Sequence, residues 1–166
     1  MPKANFLKIK RPLYIWFVLA TIVFVADQWV KSLVIENILL YEKIKVNFFI
    51  NLTHQQNPGA AFSFLADAGG WQRWFLSILA ILVCLYIIFW LTQLGAEKKI
   101  CLPYGLALVL GGALGNVFDR LMLGYVTDYF QVLIYGWAFP SFNIADAAIS
   151  IGAILIIIDA IKNGSD

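Results

Sequence analysis

The chain has 166 residues, of which 61% are hydrophobic and 13% are charged, with a formal net charge of +2 and a mean hydropathy of +0.80. A soluble domain of this length could not bury so much apolar surface, because its surface-to-volume ratio is too high. The composition therefore excludes an ordinary soluble protein and indicates an integral membrane protein, and the small net charge gives no support for nucleic-acid binding.

Four apolar segments are about 20 residues long, the length that crosses a hydrocarbon core of roughly 30 Å. In chain order they are residues 12–31, 71–94, 100–120 and 142–161. We interpret the first as an anchor and not as a cleaved signal peptide, because no small-x-small cleavage site precedes Asp27. We expect one membrane domain that covers residues 1–166.

Lysine and arginine are unevenly distributed between the two sides of these spans. The N-terminal segment, the connection between the second and third spans and the C-terminal tail together carry seven, against five on the opposite side. Positively charged connections are typical of the cytoplasmic side. We therefore expect both termini in the cytoplasm and the connections 32–70 and 121–141 on the outer side.

The two outer connections have different patterns. Residues 44–52 alternate apolar and polar side chains, which predicts a half-buried strand. The sequence NPG at residues 57–59 predicts a turn, and residues 60–66 could form a returning strand. The second outer connection is rich in Tyr, Phe and Trp, which favours a position along the membrane surface.

Four aspartates fall at the outer end of this predicted topology: Asp27, Asp119, Asp128 and Asp146. A structural role explains some of them. Asp27 and Lys31 are four residues apart on a helix and can form an ion pair. Asp119 lies at a helix end, where a polar network is as good an explanation as catalysis.

The remaining two aspartates differ in how well a structural role explains them. Asn143 and Asp146 have the spacing of a capping box, with a carboxylate near the positive end of a helix dipole. Asp128 lies in GYVTDYF among apolar and aromatic neighbours, without an adjacent cation. Such surroundings disfavour the charged form of a carboxyl group, so Asp128 is the strongest candidate for a functional acid.

Two carboxylates held close together share one proton near neutral pH. The ionised group can remove a proton from water while the protonated group donates to a peptide carbonyl oxygen, which is aspartic protease chemistry. The chain has a single histidine, His54, and two cysteines, Cys84 and Cys101, without ligand spacing. We therefore expect no metal and no cofactor. The residues alone give a candidate acidic site with four possible members and no substrate.

Five sequence blocks occur together and in order: DQWVK, NPGAAFSFL, GGALGNVFDR, GYVTDYF and FNIAD, within residues 27–146. In this combination the chain resembles bacterial lipoprotein signal peptidase, also called signal peptidase II. The resemblance covers nearly the whole chain. It implies an aspartic endopeptidase of the bacterial inner membrane, with four transmembrane helices, a small extracytoplasmic β-sheet (the cradle) in the first outer connection and a surface helix in the second.

The resemblance also implies roles for individual residues. The catalytic pair would be Asp128 and Asp146, with Asp119 supporting the site. Other matched positions line the substrate pocket or support it structurally: Asn57, Asn116, Arg120 and Asn143 in the pocket, and Asp27, Lys31 and Gly59 in support. Tyr129 departs from the pattern, because the family usually has phenylalanine there, and Pro58 fills a variable position.

The implied reaction removes the signal peptide from prolipoproteins, with cleavage just before the cysteine that carries diacylglycerol. The implied partners are lipid-modified prolipoproteins and membrane lipids, and we expect a monomer that does not bind nucleic acid. Two alternatives remain: a proton-coupled transporter and a non-catalytic membrane assembly factor. The transporter would require acids near the membrane midplane and a repeat with broken helices, and the sequence has neither feature. In the assembly factor, Asp-to-Asn changes would damage folding more than turnover.

Overall fold

The computed structural model describes residues 13–59, 70–94 and 101–163. Four helices dominate it: α1 Tyr14–Asn37, α2 Trp71–Gln93, α3 Cys101–Met122 and α4 Ile144–Asn163. Each is long and apolar enough to cross a membrane, which confirms the four predicted spans. The expected returning strand at residues 60–66 lies outside the described residues.

Helix α1 continues six residues past the predicted end of the first span at Lys31. An isolated lysine is unfavourable within an apolar helix. In the structure Lys31 is buried and its ammonium group lies 2.7 Å from Asp27, one helical turn earlier. The charge is thus neutralised inside the fold, and α1 continues to Asn37 before the sheet begins.

Helix α3 is the centre of the bundle and is far more buried than the other three helices. It packs against α1, α2 and α4, and small residues allow the backbones to approach closely. A Cβ atom added to Gly152 of α4 would lie 2.6 Å from the carbonyl oxygen of Gly105 and 2.7 Å from Val109 Cγ2. The α3–α4 contact therefore requires glycine at this point.

We expect Gly152→Ala to lower the thermal unfolding midpoint in detergent, with a loss of about 1–3 kcal/mol, because the added methyl group meets a backbone oxygen that cannot move alone. The control is Ala153→Val, which adds methyl groups on the exposed side of the same helix and should leave the midpoint nearly unchanged. Equal midpoints for Gly152→Ala and wild type would contradict the packing argument.

Among the described residues, the sheet contains four antiparallel strands in the order β1-β2-β3-β4. Strands β1 Lys43–Lys45 and β2 Ile50–Asn57 follow α1, and strands β3 Val126–Ile134 and β4 Trp137–Ala138 lie between α3 and α4. The predicted cradle is therefore present, but it takes strands from both connections and not from the first alone. Strand β2 follows α1 and β1 in the chain, and strand β3 lies between α3 and α4. The pairing of β2 with β3 therefore brings the ends of α1 and α3 close to the start of α4.

The structure corrects two predictions for the connections. The single strand expected over residues 44–52 is interrupted, because Asn47 Oδ1 accepts the N–H groups of Phe49 and Ile50 in a turn between β1 and β2. The surface helix expected in residues 121–141 is absent from that stretch, which forms β3 and β4. The sequence of β3, VTDYFQVLI, is rich in β-branched and aromatic residues that favour strands.

Candidate active site

The Asp128 carboxyl group lies on β3 and is almost completely buried, with 2% of the residue exposed. Asn57 Nδ2 donates to Asp128 Oδ2 at 3.1 Å, and Asn143 Nδ2 donates to Asp128 Oδ1 at 2.8 Å. Each oxygen thus receives an amide hydrogen bond from a different element. This satisfies the buried group while leaving it free of a directly bonded cation.

A bulge in β2 aligns Asn57 with Asp128. Leu52 pairs with Phe130 and Gln55 with Asp128, so β2 has one residue more than β3 over this interval. Such bulges change which face the following side chains occupy. Beyond the bulge, Gln55 and Asn57 lie on the same face of the sheet as Asp128, which allows the Asn57 amide to reach the carboxyl group.

The Asp146 carboxyl group lies in the first turn of α4 and is partly exposed. Asn143 Oδ1 accepts the Asp146 N–H at 2.8 Å, and Asp146 Oδ2 accepts the Asn143 N–H at 3.3 Å. The predicted capping box is therefore confirmed. The other oxygen, Oδ1, accepts a hydrogen bond from Asn116 Nδ2 at 2.8 Å.

Two asparagines connect the two aspartates. Asn143 bonds Asp128, Asn116 bonds Asp146, and Asn143 Nδ2 lies 3.4 Å from Asn116 Oδ1. The network joins side chains from β3, α3 and the start of α4. The structure therefore brings the two aspartates implied by the resemblance into one hydrogen-bonded cluster.

A buried cation supports this cluster from the side of α1. Lys31 Nζ lies 2.7 Å from Asp27 Oδ2 and 2.9 Å from Asp119 Oδ2, and it donates to Asn116 Oδ1 at 3.1 Å. The bond to Oδ1 fixes the orientation of the Asn116 amide, since only the opposite end of that amide can then donate to Asp146. The predicted Asp27–Lys31 pair is confirmed, and Asp119 is its third member.

Asp119 also holds the strand that carries Asp128. Its Oδ2 accepts the N–H of Thr127 at 3.0 Å, and its Oδ1 accepts a hydrogen bond from Gln28 Nε2 at 2.9 Å. Asp119 thus acts on the neighbour of Asp128 and has no direct bond to Asp128 or Asp146 among the described contacts. The geometry agrees with a supporting role.

Arg120 and Gly59 meet on the other side of the cluster. Arg120 Nη2 donates to the Gly59 carbonyl oxygen at 2.7 Å, and Nη1 donates to the Asn116 carbonyl oxygen at 3.3 Å. Both bonds go to backbone oxygens, and no carboxylate among the described residues forms an ion pair with the guanidinium. It faces the same cavity as the two aspartates.

The cavity has a volume of about 770 Å³ and extends from the aspartates along the helices. Its polar end includes Asn57, Asn116 and Arg120, and the rest of its wall is apolar. Apolar side chains come from α2, α3 and α4, for example Leu79, Ala113 and Ile149. A ligand with a polar reacting centre and a long apolar part fits this distribution. Among the described residues, no group of three or more His, Cys, Asp or Glu side chains could hold a metal ion.

Burial raises the pKa of the Asp128 carboxyl group from 3.8 to about 7, and the nearby charge of Asp146 adds to the increase. The hydrogen bonds from Asn57 and Asn143 and the charge of Lys31 oppose it. Because burial dominates, Asp128 retains its proton near neutral pH. The sequence-based expectation that its charged form is disfavoured is confirmed.

This raised pKa predicts a pH dependence of stability. Between about pH 4 and pH 7 the folded chain holds a proton on Asp128 that the unfolded chain has lost, so rising pH destabilises the fold. Asp128→Asn removes that titration. As the pH rises from 5 to 8, we expect the thermal unfolding midpoint of this variant to increase relative to that of wild type. A constant difference over this range would contradict the assignment.

Sequence reasoning did not identify two residues of the cluster, Gln28 and Thr127, and it noted Tyr129 only as a departure from the family pattern. Gln28 lies inside the DQWVK block and Thr127 and Tyr129 flank Asp128, so sequence proximity to a candidate residue was the available signal. Their contacts cross between α1, α3, β3 and α4. Spacing within one element could not reveal those contacts.

Known proteins resemble this chain over most of its length. A family model described as signal peptidase (SPase) II matches residues 19–162. A lipoprotein signal peptidase of Alteromonas mediterranea is 49% identical over 91% of this chain and 81% of its own length. The corresponding protein of Pseudoalteromonas atlantica is 47% identical over 90% of both chains. A solved structure described as a bacterial membrane enzyme, at 2.3 Å resolution, superimposes with a TM-score of 0.82 and 30% identity over 94% of this chain and 93% of that one.

Proposed function

The chain belongs to the signal peptidase II family, and we propose that it removes signal peptides from diacylglyceryl-modified prolipoproteins by aspartic catalysis. Cleavage would fall just before the lipidated cysteine. The observation that carries this proposal is the pair Asp128 and Asp146, joined through two asparagines at the polar end of a largely apolar cavity.

The two carboxyl groups have environments suited to opposite roles. Asp128 is buried and its pKa is raised to about 7, so it carries the proton. Asp146 is partly exposed and lies at the N-terminus of α4, where the helix dipole favours a negative charge. A protonated acid beside an ionised one is the usual basis for assigning general acid and general base.

The reaction follows from these assignments. Asp146 removes a proton from water, the resulting hydroxide adds to the scissile carbonyl carbon, and Asp128 donates its proton to the carbonyl oxygen. The tetrahedral intermediate collapses when its C–N bond breaks, the nitrogen receives the proton held by Asp146, and one hydroxyl group of the intermediate returns its proton to Asp128. The products are the carboxyl end of the signal peptide and a free amino group on the cysteine.

The neighbouring amides keep the two acids in place during these transfers. Asn143 Nδ2 donates to Oδ1 of Asp128, and Asn116 Nδ2 donates to Oδ1 of Asp146. The second oxygen of Asp146, Oδ2, accepts the longer 3.3 Å hydrogen bond from the Asn143 N–H and retains a lone pair that can accept a hydrogen bond from water. The Arg120 guanidinium is fixed by two backbone carbonyls. From this position on the cavity wall it can donate to main-chain carbonyl oxygens of the substrate.

The apolar part of the cavity is suited to the lipid and to the signal peptide. It is lined by α2, α3 and α4, so a substrate would enter from the bilayer and not from water. We place the protein in the bacterial cytoplasmic membrane, with both termini in the cytoplasm and the aspartates at the outer face. A monomer provides the whole site, since every group named above belongs to one chain.

The test uses purified protein in detergent and a prolipoprotein prepared with and without its diacylglyceryl group, with cleavage followed by gel shift. We expect cleavage of the lipidated form, at an unchanged rate when a metal chelator is present. The unlipidated form is the matched control and should be cut far more slowly. If the lipidated substrate stays intact with folded protein, the proposal is wrong and the transporter and assembly-factor alternatives return.

A further inference from the structure

The Tyr129 side chain is fully buried and its hydroxyl oxygen accepts the N–H of Ile144 at 3.1 Å. A phenylalanine at this position would have no such acceptor. Ile144 is the first residue of α4, and Asp146 follows two residues later. The hydroxyl therefore reaches the beginning of the helix that carries one of the two aspartates.

The bond completes the capping of α4. The first four N–H groups of a helix have no acceptor within the helix. In α4 these are the N–H groups of residues 143–146, and all four are satisfied. Their acceptors, in chain order, are Asp146 Oδ2, Tyr129 Oη, Asp27 Oδ1 and Asn143 Oδ1, while the N–H of Ala147 makes the first bond within the helix, to the Asn143 carbonyl oxygen. Only the Tyr129 hydroxyl comes from the strand that carries Asp128.

Successive side chains of a strand point to opposite faces. Asp128 points towards Asn57 and the cavity, while Tyr129 packs in a cluster with Val34 of α1 and with Ile38, which directly follows α1. One short stretch of β3 thus holds a catalytic carboxyl group on one face and a contact to α4 on the other. A shift of α4 against β3 would therefore break the contact to Tyr129 and move Asp146 relative to Asp128.

The backbone contacts between β3 and the start of α4 end just before the helix. Phe130 and Phe142 form an antiparallel bridge, with N–H···O distances of 2.8 Å and 2.9 Å. The Tyr129 hydroxyl extends this attachment by two residues, into the first turn of α4. Without it, the first N–H of α4 has no acceptor from the strand.

We propose that Tyr129 is a positioning residue, whose hydroxyl fixes the first turn of α4 against β3 and so sets the separation and relative orientation of Asp128 and Asp146. This inference rests on the proposed function, because it concerns the geometry of the same two acids. Tyr129 touches neither the substrate cavity nor the reacting atoms, and it acts through Ile144.

The direct test is Tyr129→Phe, which removes only the hydroxyl group. We expect kcat to fall about two- to tenfold, the range that corresponds to the net contribution of one neutral hydrogen bond. KM should be unchanged, because the apolar wall of the cavity is untouched. Tyr125→Phe, which removes a hydroxyl four residues earlier on the same connection, is the matched control and should behave as wild type.

The pH profile separates positioning from a general loss of folded protein. If the carboxyl groups of Asp128 and Asp146 are held less closely, they repel each other less, so the basic limb of the kcat profile should move to lower pH in Tyr129→Phe. The surrounding charges, Arg120 of α3 and the Lys31 cluster between α1 and α3, are not changed, and α2 lines the cavity with apolar residues only. Loss of folded protein would lower the profile without moving its limbs.

A double-mutant cycle tests the bond itself. Ile144→Pro removes the donor N–H, and proline is well tolerated at the first position of a helix. In the Ile144→Pro background, Tyr129→Phe should have no further effect on kcat. Hydrogen exchange of the amides at residues 144–147 gives a readout without substrate, and we expect faster exchange in Tyr129→Phe.

These measurements distinguish the two proposals. If wild type leaves the substrate intact, the proposed function is wrong. Amide hydrogen exchange tests the second proposal without substrate: unchanged exchange at residues 144–147 in Tyr129→Phe would show that the hydroxyl does not hold α4 against β3. If wild type cleaves but Tyr129→Phe keeps its kcat and its pH profile, the positioning role is overturned. An undiminished effect of Tyr129→Phe in the Ile144→Pro background would overturn it as well.

Discussion

Replacing either Asp128 or Asp146 with asparagine is expected to reduce cleavage of a lipidated prolipoprotein by about 10³-fold, within the range found for loss of a general acid or base. Asparagine keeps the size of the side chain and one acceptor oxygen, so Asn143 can still bond position 128 and Asn116 can still bond position 146. What is lost is the proton transfer. The measurement is the initial rate of cleavage in detergent, with substrate above KM.

The control for this experiment is Asp159→Asn. Asp159 is also a buried aspartate on α4, thirteen residues beyond Asp146 and outside the cavity lining. Its substitution should leave the rate close to that of wild type. Thermal midpoints confirm that each variant is folded. If the Asp128→Asn and Asp146→Asn proteins are folded and cleave within tenfold of wild type, the aspartic mechanism is wrong.

The sequence predicted those parts of the site that depend on spacing within one element. The capping box of Asn143 and Asp146 and the ion pair of Asp27 and Lys31 were both read from positions three or four residues apart, and both are present. The burial of Asp128 followed from its apolar neighbours. The four spans followed from length and hydropathy alone.

Contacts between elements could not be predicted in this way. The 2.9 Å contact of Lys31 with Asp119 joins α1 to α3, so a charge that was taken as the end of a span is instead buried within the bundle. The pairing of β2 with β3 joins residues about 75 positions apart. The aromatic content of residues 121–141 predicted only a position along the membrane surface, and the surface helix expected there was implied by the family resemblance. The bulge that aligns Asn57 with Asp128 depends on that same pairing.

Replacing Lys31 with methionine is expected to destabilise the protein by about 3–5 kcal/mol, the usual cost of breaking a buried ion pair by removing one partner. Lys31 is 2% exposed and is the only cation within ion-pair distance of Asp27 or Asp119 among the described residues. Its removal leaves two carboxyl groups close together without a counter-charge. Lys43→Met, on the exposed strand β1, is the control and should change the thermal midpoint very little.

Activity should fall as well, for a separate reason. Without Lys31, Asn116 Oδ1 keeps only the long 3.4 Å contact with Asn143 Nδ2. The Asn116 amide is then held less firmly in the orientation that donates to Asp146, so the hydrogen bond to the base weakens even in the folded fraction. We therefore expect kcat per folded molecule to decrease, with KM nearly unchanged. A Lys31→Met protein that unfolds at the same temperature as wild type would contradict the ion-pair argument.

A triple variant separates the two effects of Lys31. Combining Lys31→Met with Asp27→Asn and Asp119→Asn removes both orphaned charges, while each new amide keeps an oxygen that can accept the N–H of Ala145 or Thr127. Stability should then recover in large part, since replacing a whole buried charge cluster costs far less than removing one partner. Turnover should not recover, because the triple variant still lacks the donor that orients Asn116. If turnover recovers together with stability, Lys31 acts on the fold alone and has no influence on Asp146.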